Sequence, residues 1–291
     1  MLKDNLDQLI DIATGDNNSD NIIDARNEYQ SIAGIIYEDD KSYENRMALF
    51  LEWYIFDRIT PDTDQTLLET LIEKNKETWS SNMLQIVEGF SINIHGLFIV
   101  KKIRDHSVKV LNLFDNEIYV ANESMGKLLF CKSGILEGRL VSYDNMYHFT
   151  GNYCFHPNKA KNFIEREIKQ MDIIVHGNKK ELKNKTAQLN RRKNELQKHN
   201  SKIDKLKTKL LKSYPDNKIS KIKKNLTELE TIGSYLEGNF LNMESEVKRF
   251  ASEKTIRAPK TLQTHLIQKL SYMQLAWERS RHIDLDDIYH N

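Results

Sequence analysis

One apolar position recurs in every heptad from Ile168 to Leu210, through Val175, Leu182, Leu189, Leu196 and Ile203. The alternate seam position is polar in the middle, at Asn178, Lys185, Arg192 and His199. The segment Lys212-Ser213-Tyr214-Pro215-Asp216-Asn217 then interrupts the pattern. Beyond it Ile219, Ile222, Leu226, Leu229, Gly233, Leu236, Phe240, Met243, Val247 and Phe250 alternate threes and fours without a slip. Two heptad segments joined by a short Pro-Asn turn predict an antiparallel coiled-coil hairpin over 158–257, its tip near 212–218. At 1.5 Å per residue the two arms would run roughly 80 and roughly 60 Å. Pairing outward from the tip sets Leu210 against Ile219 and Ile203 against Leu226, which places Gly233 opposite Leu196. Lys185, Arg192 and His199 would then lie at the seam with packed stems and wet heads.

Either side of the hairpin the hydrophobic period differs. Residues 1–90 read as an acidic helical domain. Its stripes run through Leu2, Leu6, Leu9 and Ile10, then Ile23, Tyr29 and Ile32, then Met47, Phe50, Leu51, Trp53 and Tyr54. Gly15 to Asp20 reads as a loop with Ser19 or Asp20 as a cap, and Thr60-Pro61-Asp62 as a helix start. The period changes to two over 91–157. There Leu97 to Arg104, Val108 to Phe114, Ile118 to Asn122, Gly138 to Tyr143 and Met146 to Tyr153 read as five short strands of a small antiparallel β-barrel. Asp144-Asn145 supplies a two-residue hairpin turn. Arg257-Ala258-Pro259 is expected to end the hairpin, and 258–291 to form a C-terminal helix and tail, with Leu262, Leu266, Leu270, Met273 and Trp277 on its apolar face. The fold class is α+β, mostly α.

The helix sequence Phe50-Leu51-Glu52-Trp53-Tyr54-Ile55-Phe56-Asp57 and the later Gly134-Ile135-Leu136-Glu137-Gly138-Arg139-Leu140 form a recognisable pair. Over about residues 40–160 the chain resembles uncharacterised bacterial proteins. In these, an F-x-x-W-(Y/F)-x-F-D helix precedes a small β module containing G-x-x-x-x-R-L. Some of them carry a zinc-binding SEC-C tail, for which this sequence has no cysteine cluster. The resemblance implies no catalytic activity. The aromatic stretch reads as core, and Arg139, within a strand, is expected to pair with a carboxylate.

Charge separates along the chain. Residues 1–100 hold 7 Lys+Arg against 19 Asp+Glu, whereas 176–212 hold 13 against 3, although the whole carries only +1. A basic arm of this kind meets an acidic protein surface, the chain's own acidic domain included, or a nucleic acid. The partner-binding candidates are Lys198, Lys202, Lys205 and Lys209 with Tyr214 at the tip. Aromatic interleaving of the kind that stacks single strands is missing before Tyr214.

No phosphate-loop, dinucleotide-binding, nucleophile-elbow or H-E-x-x-H motif occurs. The weak metal candidates are His148, Cys154 and His156, with Cys131 as an outlying fourth. The competing reading is structural, with cysteine as a small buried hydrophobe. Two cysteines make no disulfide framework, and no apolar run reaches the length of a membrane span. The opening MLKDNLDQLIDIATGD lacks the basic start of a signal peptide, so a cytoplasmic location is expected. The sequence therefore leads to a non-enzymatic adaptor or scaffold with no cofactor. It would bind a protein partner through the hairpin and β module, with nucleic-acid binding through 176–212 as the alternative. The heptads also admit pairing between two copies of the chain.

Overall fold

The computed structural model describes residues 2–15, 19–60, 64–123, 126–280 and 282–290. Residues 16–18 of the loop read at Gly15 to Asp20, and Pro61-Asp62 of the helix start, lie outside the described residues. The chain divides into two compact units: residues 1–170 with 262–291, and residues 171–261.

The first unit begins with five helices: α1 (Leu2–Thr14), α2 (Ser19–Ala33), α3 (Tyr43–Phe56), α4 (Leu67–Asn75) and α5 (Ser81–Ser91). Their apolar faces share one core. Leu9, Ala13, Phe50, Ile55, Val87 and Phe90 are all but sealed from solvent, and Tyr29 packs edge-on to Phe50 at 5.5 Å. The sequence stops and restarts these helices by local chemistry. At α4 the Thr66 hydroxyl accepts from the Glu69 N–H, and the Glu69 carboxylate accepts from the Thr66 N–H, a reciprocal cap. The helix thus starts at Leu67, later than Thr60-Pro61-Asp62 suggested.

Six strands follow: β1 (Asn93–Ile103), β2 (Ser107–Asn112), β3 (Ile118–Asn122), β4 (Ile135–Tyr143), β5 (Met146–Phe149) and β6 (Cys154–His156). A single-turn helix, α6 (Gly126–Leu129), links β3 to β4. The pairings β1–β2, β2–β3, β3–β5, β5–β4 and β4–β1 close a ring of five, and β6 pairs with β4 beside β5. The barrel is therefore mixed, not antiparallel throughout as read from sequence. β3 and β5 pair parallel, at Ala121↔Tyr147 and Asn122↔His148. Strands cannot alternate direction all the way round a closed ring of odd number, so one pair must run parallel. The expected two-residue hairpin is present: Asp144 and Asn145 both take positive φ, 50° and 58°, as a twist-matched β-hairpin turn requires. Gly96 and Gly138 lie opposite one another on the inner face of β1 and β4. There an added Cβ on Gly96 would come 3.1 Å from the Phe98 ring, so the missing side chains make room for the aromatic interior.

After a 3-10 turn at Asn158–Ala160, α7 (Lys161–Leu210) starts in the first unit. Phe163, Ile164 and Ile168 on its opening turns pack against Leu97, Ile99 and Ile135 on the barrel's outer face. With them pack Leu266, Ile267, Leu270 and Met273 of α9 (Ala258–Arg279), and Tyr289, which follows α10 (Leu285–Ile288).

The second unit holds the rest of α7, α8 (Asp216–Phe250), a π-helical segment (Ala251–Arg257) and the start of α9. α7 and α8 run antiparallel. Lys207 pairs with Glu230 at 3.0 Å, the His199 ring donates to the Leu229 carbonyl at 2.7 Å, and Lys185 lies 5.2 Å from the Phe250 ring centre. The register differs from the tip-outward expectation: Gly233 faces His199 and Ile203, not Leu196. The polar seam residue accounts for the slip. An imidazole needs both space and a polar partner inside the seam, and only the residue without a side chain leaves that space. The expected break at Pro259 is also absent, because helix continues from Asp216 to Arg279. The Ala258 N–H bonds the Glu253 carbonyl five residues back. The next bond in that series would need an N–H from Pro259, which has none. The Lys254 carbonyl left open accepts instead from Asn178 Nδ2 at 3.2 Å. Among the described residues, no helix is long and apolar enough to cross a membrane.

Candidate functional site

β4 explains why charge collects inside the first unit. Its inner face, Leu136, Gly138 and Leu140, fills the barrel, while its outer face reads Ile135, Glu137, Arg139, Val141. Ile135 joins the cluster under α7 and α9, and Val141 joins the core of the five helices. Glu137 and Arg139 sit between the two apolar clusters, 2% and 0% exposed. Charges so buried must be paired.

Arg139 is met by the end of α3. Its guanidinium donates to both carboxylate oxygens of Asp57, to Asn93 Oδ1 at 2.5 Å, and lies 3.4 Å from Glu52 Oε2 and 4.8 Å from the Phe56 ring centre. Asp57 closes the first of the two short motifs and Arg139 stands in the second, so the carboxylate expected for Arg139 comes from the paired motif itself. Asn152 Nδ2 donates to Glu52 at 2.7 Å. On β1, directly opposite Arg139, His95 sets Nδ1 3.1 Å from Asp57 and Nε2 3.4 Å from Glu137 Oε1. The network therefore runs from α3 across two strands to Glu137.

The charge states follow from burial and neighbours. Burial alone would raise the Asp57 carboxyl, but Arg139 and His95 overcome it and hold that group well below the usual carboxylate range. Burial is the largest influence on Glu52 and raises it despite Arg139. At His95, burial and Arg139 act to discharge the ring, and the Asp57 and Glu137 carboxylates outweigh them, raising it above 6.5.

Glu137 also faces β6, where Cys154 lies directly across from it and His156 two residues on, so all three side chains leave one face of the sheet. One ligand atom from each lies within 4.8 Å of the others. Cys154, pushed up to about 12 by burial and by Glu137, holds its thiol proton, and the Ser271 hydroxyl bonds it. His156, pushed down to about 4 by burial, is a neutral imidazole. Its Nδ1 lies 3.2 Å from the Tyr289 hydroxyl.

Of the metal candidates read from sequence, the structure thus brings together Cys154 and His156 but not His148, which sits on β5 opposite Val141. Four residues of strand separate Val141 from Glu137, about 13 Å. Cys131 is exposed after α6. Sequence reasoning missed Glu137 and His95. The available signal was two charges spaced by two in an otherwise apolar strand, which puts both on one face.

The partner-binding candidates lie in the second unit. Lys198, Lys202, Lys205 and Lys209 are exposed at helical spacings of four, three and four, one stripe along α7. Tyr214 is half-buried under the Lys218 ammonium, 4.2 Å from its ring centre, so it serves the turn as well as the surface. The return helix adds Lys218, Lys221, Lys223 and Lys224. Residues 196–224 therefore hold 10 Lys+Arg against 2 Asp+Glu, and the positive end of the hairpin spans both helices.

Fold and site together define a mostly helical α+β protein with a small mixed barrel, a closed ionic centre on the barrel's outer face, and a separate helical hairpin. The chain belongs to a family of unknown function (DUF7986), whose model matches residues 18–196. The matched stretch contains both short motifs and every residue of the ionic centre from Glu52 to His156, and ends before the hairpin turn. No curated protein and no solved structure matches the chain.

Proposed function

We propose that the protein is a non-catalytic adaptor whose hairpin end binds an acidic protein surface. One observation carries the reading: within residues 196–224 the seam side chains of α7 and α8 are the less exposed ones, and apart from Leu211 at the turn the exposed surface carries mainly positive charge on both helices. Such a surface recognises negative potential along a rod, and it speeds encounter more than it fixes sequence. The closed ionic centre fits a supporting part. Arg139, Glu137 and Glu52 are shielded from solvent and tie α3 to the barrel.

Nucleic acid is the second reading, and the barrel favours it. A closed five-stranded Greek-key ring with a helix between its third and fourth strands has the topology of OB folds, which bind oligonucleotides across their second and third strands. Here that face sets Lys109 opposite Val120 and beside Lys102. Fold alone assigns no activity, and the exposed hydrophobic residues there, Ile118 and Val120, are aliphatic where base stacking calls for aromatics.

The test captures partners on the full chain and on a K198E/K202E/K205E/K209E variant, each with and without nuclease. The adaptor reading expects partners that survive nuclease and are lost, tenfold or more, from the variant. Partners released by nuclease, with retention of generic RNA or DNA that falls steeply with salt, would replace it with the second reading. Partners kept by the variant would remove the hairpin end from both.

A further inference from the structure

The geometry points to a divalent metal site, suited to zinc, formed by Glu137, Cys154 and His156 inside the first unit. The three come from adjacent strands as a cross-strand pair and its next same-face neighbour, and their ligand atoms lie within 4.8 Å of one another. Tetrahedral coordination at 2.0–2.3 Å sets ligand atoms about 3.5 Å apart, so side-chain adjustments of about 1 Å close the set. Two of the donors are buried and idle. Glu137 Oε2 and His156 Nε2 have no hydrogen-bond partner among the described residues, on side chains 2% and 5% exposed. Leaving such atoms unsatisfied in the interior is costly, and an ion that takes both lone pairs removes the cost.

The surroundings fit ligation. His156 can turn its Nδ1–H to the Tyr289 hydroxyl, which fixes the tautomer that leaves Nε2 free to coordinate. Glu137 keeps Oε2 for the ion because His95 engages Oε1, and His95 is in turn held by Asp57, itself held by Arg139. Mixed sulfur, nitrogen and carboxylate ligands favour zinc over calcium or magnesium. On binding, the Cys154 S–H bond gives way to a metal–sulfur bond and the proton leaves to solvent. Ion, thiolate, carboxylate and neutral imidazole then sum to zero: the ion entering and the proton leaving add one positive charge, which offsets the Glu137 carboxylate. The fourth position is left to water. This inference stands apart from the adaptor reading, since it concerns the first unit alone.

The test refolds the full chain from denaturant with Zn²⁺ or Co²⁺, because a site this enclosed fills as the chain folds. Metal content is then measured after desalting, and the cobalt form is examined for a thiolate-to-metal charge-transfer band. About one ion per chain is expected, with the band present in wild type and unchanged in C131S, which leaves the core intact. C154S, E137Q and H156Q should each lower retained metal at least tenfold. Folded wild type that retains no metal would overturn the site, as would a band lost in C131S or metal retained in full by both C154S and H156Q. The wild-type and C131S spectra decide the matter even where a core variant fails to fold.

Discussion

At the scale of single residues, the protein hinges on a guanidinium that is fully buried. Arg139 was legible as a charge within a strand and therefore in need of a partner. Its partners were not, because sequence cannot say which of 19 acidic residues in the first 100 reaches β4. Replacing Arg139 with methionine keeps the aliphatic stem but strands Asp57 and Glu52. It should cost about 3–5 kcal/mol, the usual price of orphaning one side of a buried pair, read from urea unfolding followed by tryptophan fluorescence. Asp57 sets a pH dependence of definite sign. Its carboxyl is held below the ordinary 3.8, so the folded state binds fewer protons there than the unfolded chain. The stability it contributes is full above that ordinary value and is lost as pH falls from there through the lower folded-state value. Glu52, raised above its ordinary 4.5, works in the opposite sense, its contribution fading as pH rises, so the two partly offset. D57N should therefore be less stable than wild type at pH 7, and the gap in urea midpoint should narrow as pH is lowered from 5 towards 3. A gap that stayed constant would mean that the ion pair contributes nothing through Asp57.

At the scale of elements, the heptad pattern defined both arms of the hairpin and the face each one buries. Seam positions from Ile219 to Phe250 are the less exposed ones throughout α8. Register was the part it could not supply. An apolar stripe says which face packs, but every seam position accepts every other until a polar group or a gap breaks the tie. Here His199 and Gly233 break it together. Their fit makes two substitutions diverge in sign. In G233A the new Cβ meets His199 Cδ2 and Ile203 Cδ1 at 3.4 Å, ordinary contact, and helix propensity improves by about 1 kcal/mol. In G233L the side chain must take the space His199 occupies, breaking its bond to the Leu229 carbonyl and costing about 1–3 kcal/mol. Circular-dichroism melts of the full chain should shift up for alanine and down for leucine. Stabilisation by leucine would restore the pairing of Gly233 with Leu196. Pro259 teaches a similar lesson: proline normally ends a helix, but a π-helical segment and one side-chain amide from Asn178 supply what it lacks.

At the scale of the whole molecule, the two units differ in charge and in how they are held together. The second holds 22 Lys+Arg against 11 Asp+Glu, and the first 21 against 31, so the near-neutral total conceals opposite surfaces. The imbalance was countable from sequence, and the apolar face of the C-terminal helix called for packing on the hairpin base or the first domain. Which contacts join them, such as Arg46 with Ser271, depends on distant segments and was not legible. The first unit rests on three interlocking clusters of buried side chains. The second rests on a single seam in which, among the described residues, only Ile203, Gly233 and Val247 are buried, and it carries net repulsion besides. Little burial per residue means a lower local free energy of opening. All three tryptophans, Trp53, Trp79 and Trp277, lie in the first unit, while helical ellipticity draws heavily on the second. Urea unfolding followed by both signals should therefore give two different midpoints, with a large part of the ellipticity lost before tryptophan fluorescence changes. Added salt should move the early step to higher urea, because it screens the like charges that crowd residues 196–224. A single coincident transition at every salt concentration would mean that the hairpin draws its stability from the rest of the chain and not from its own seam.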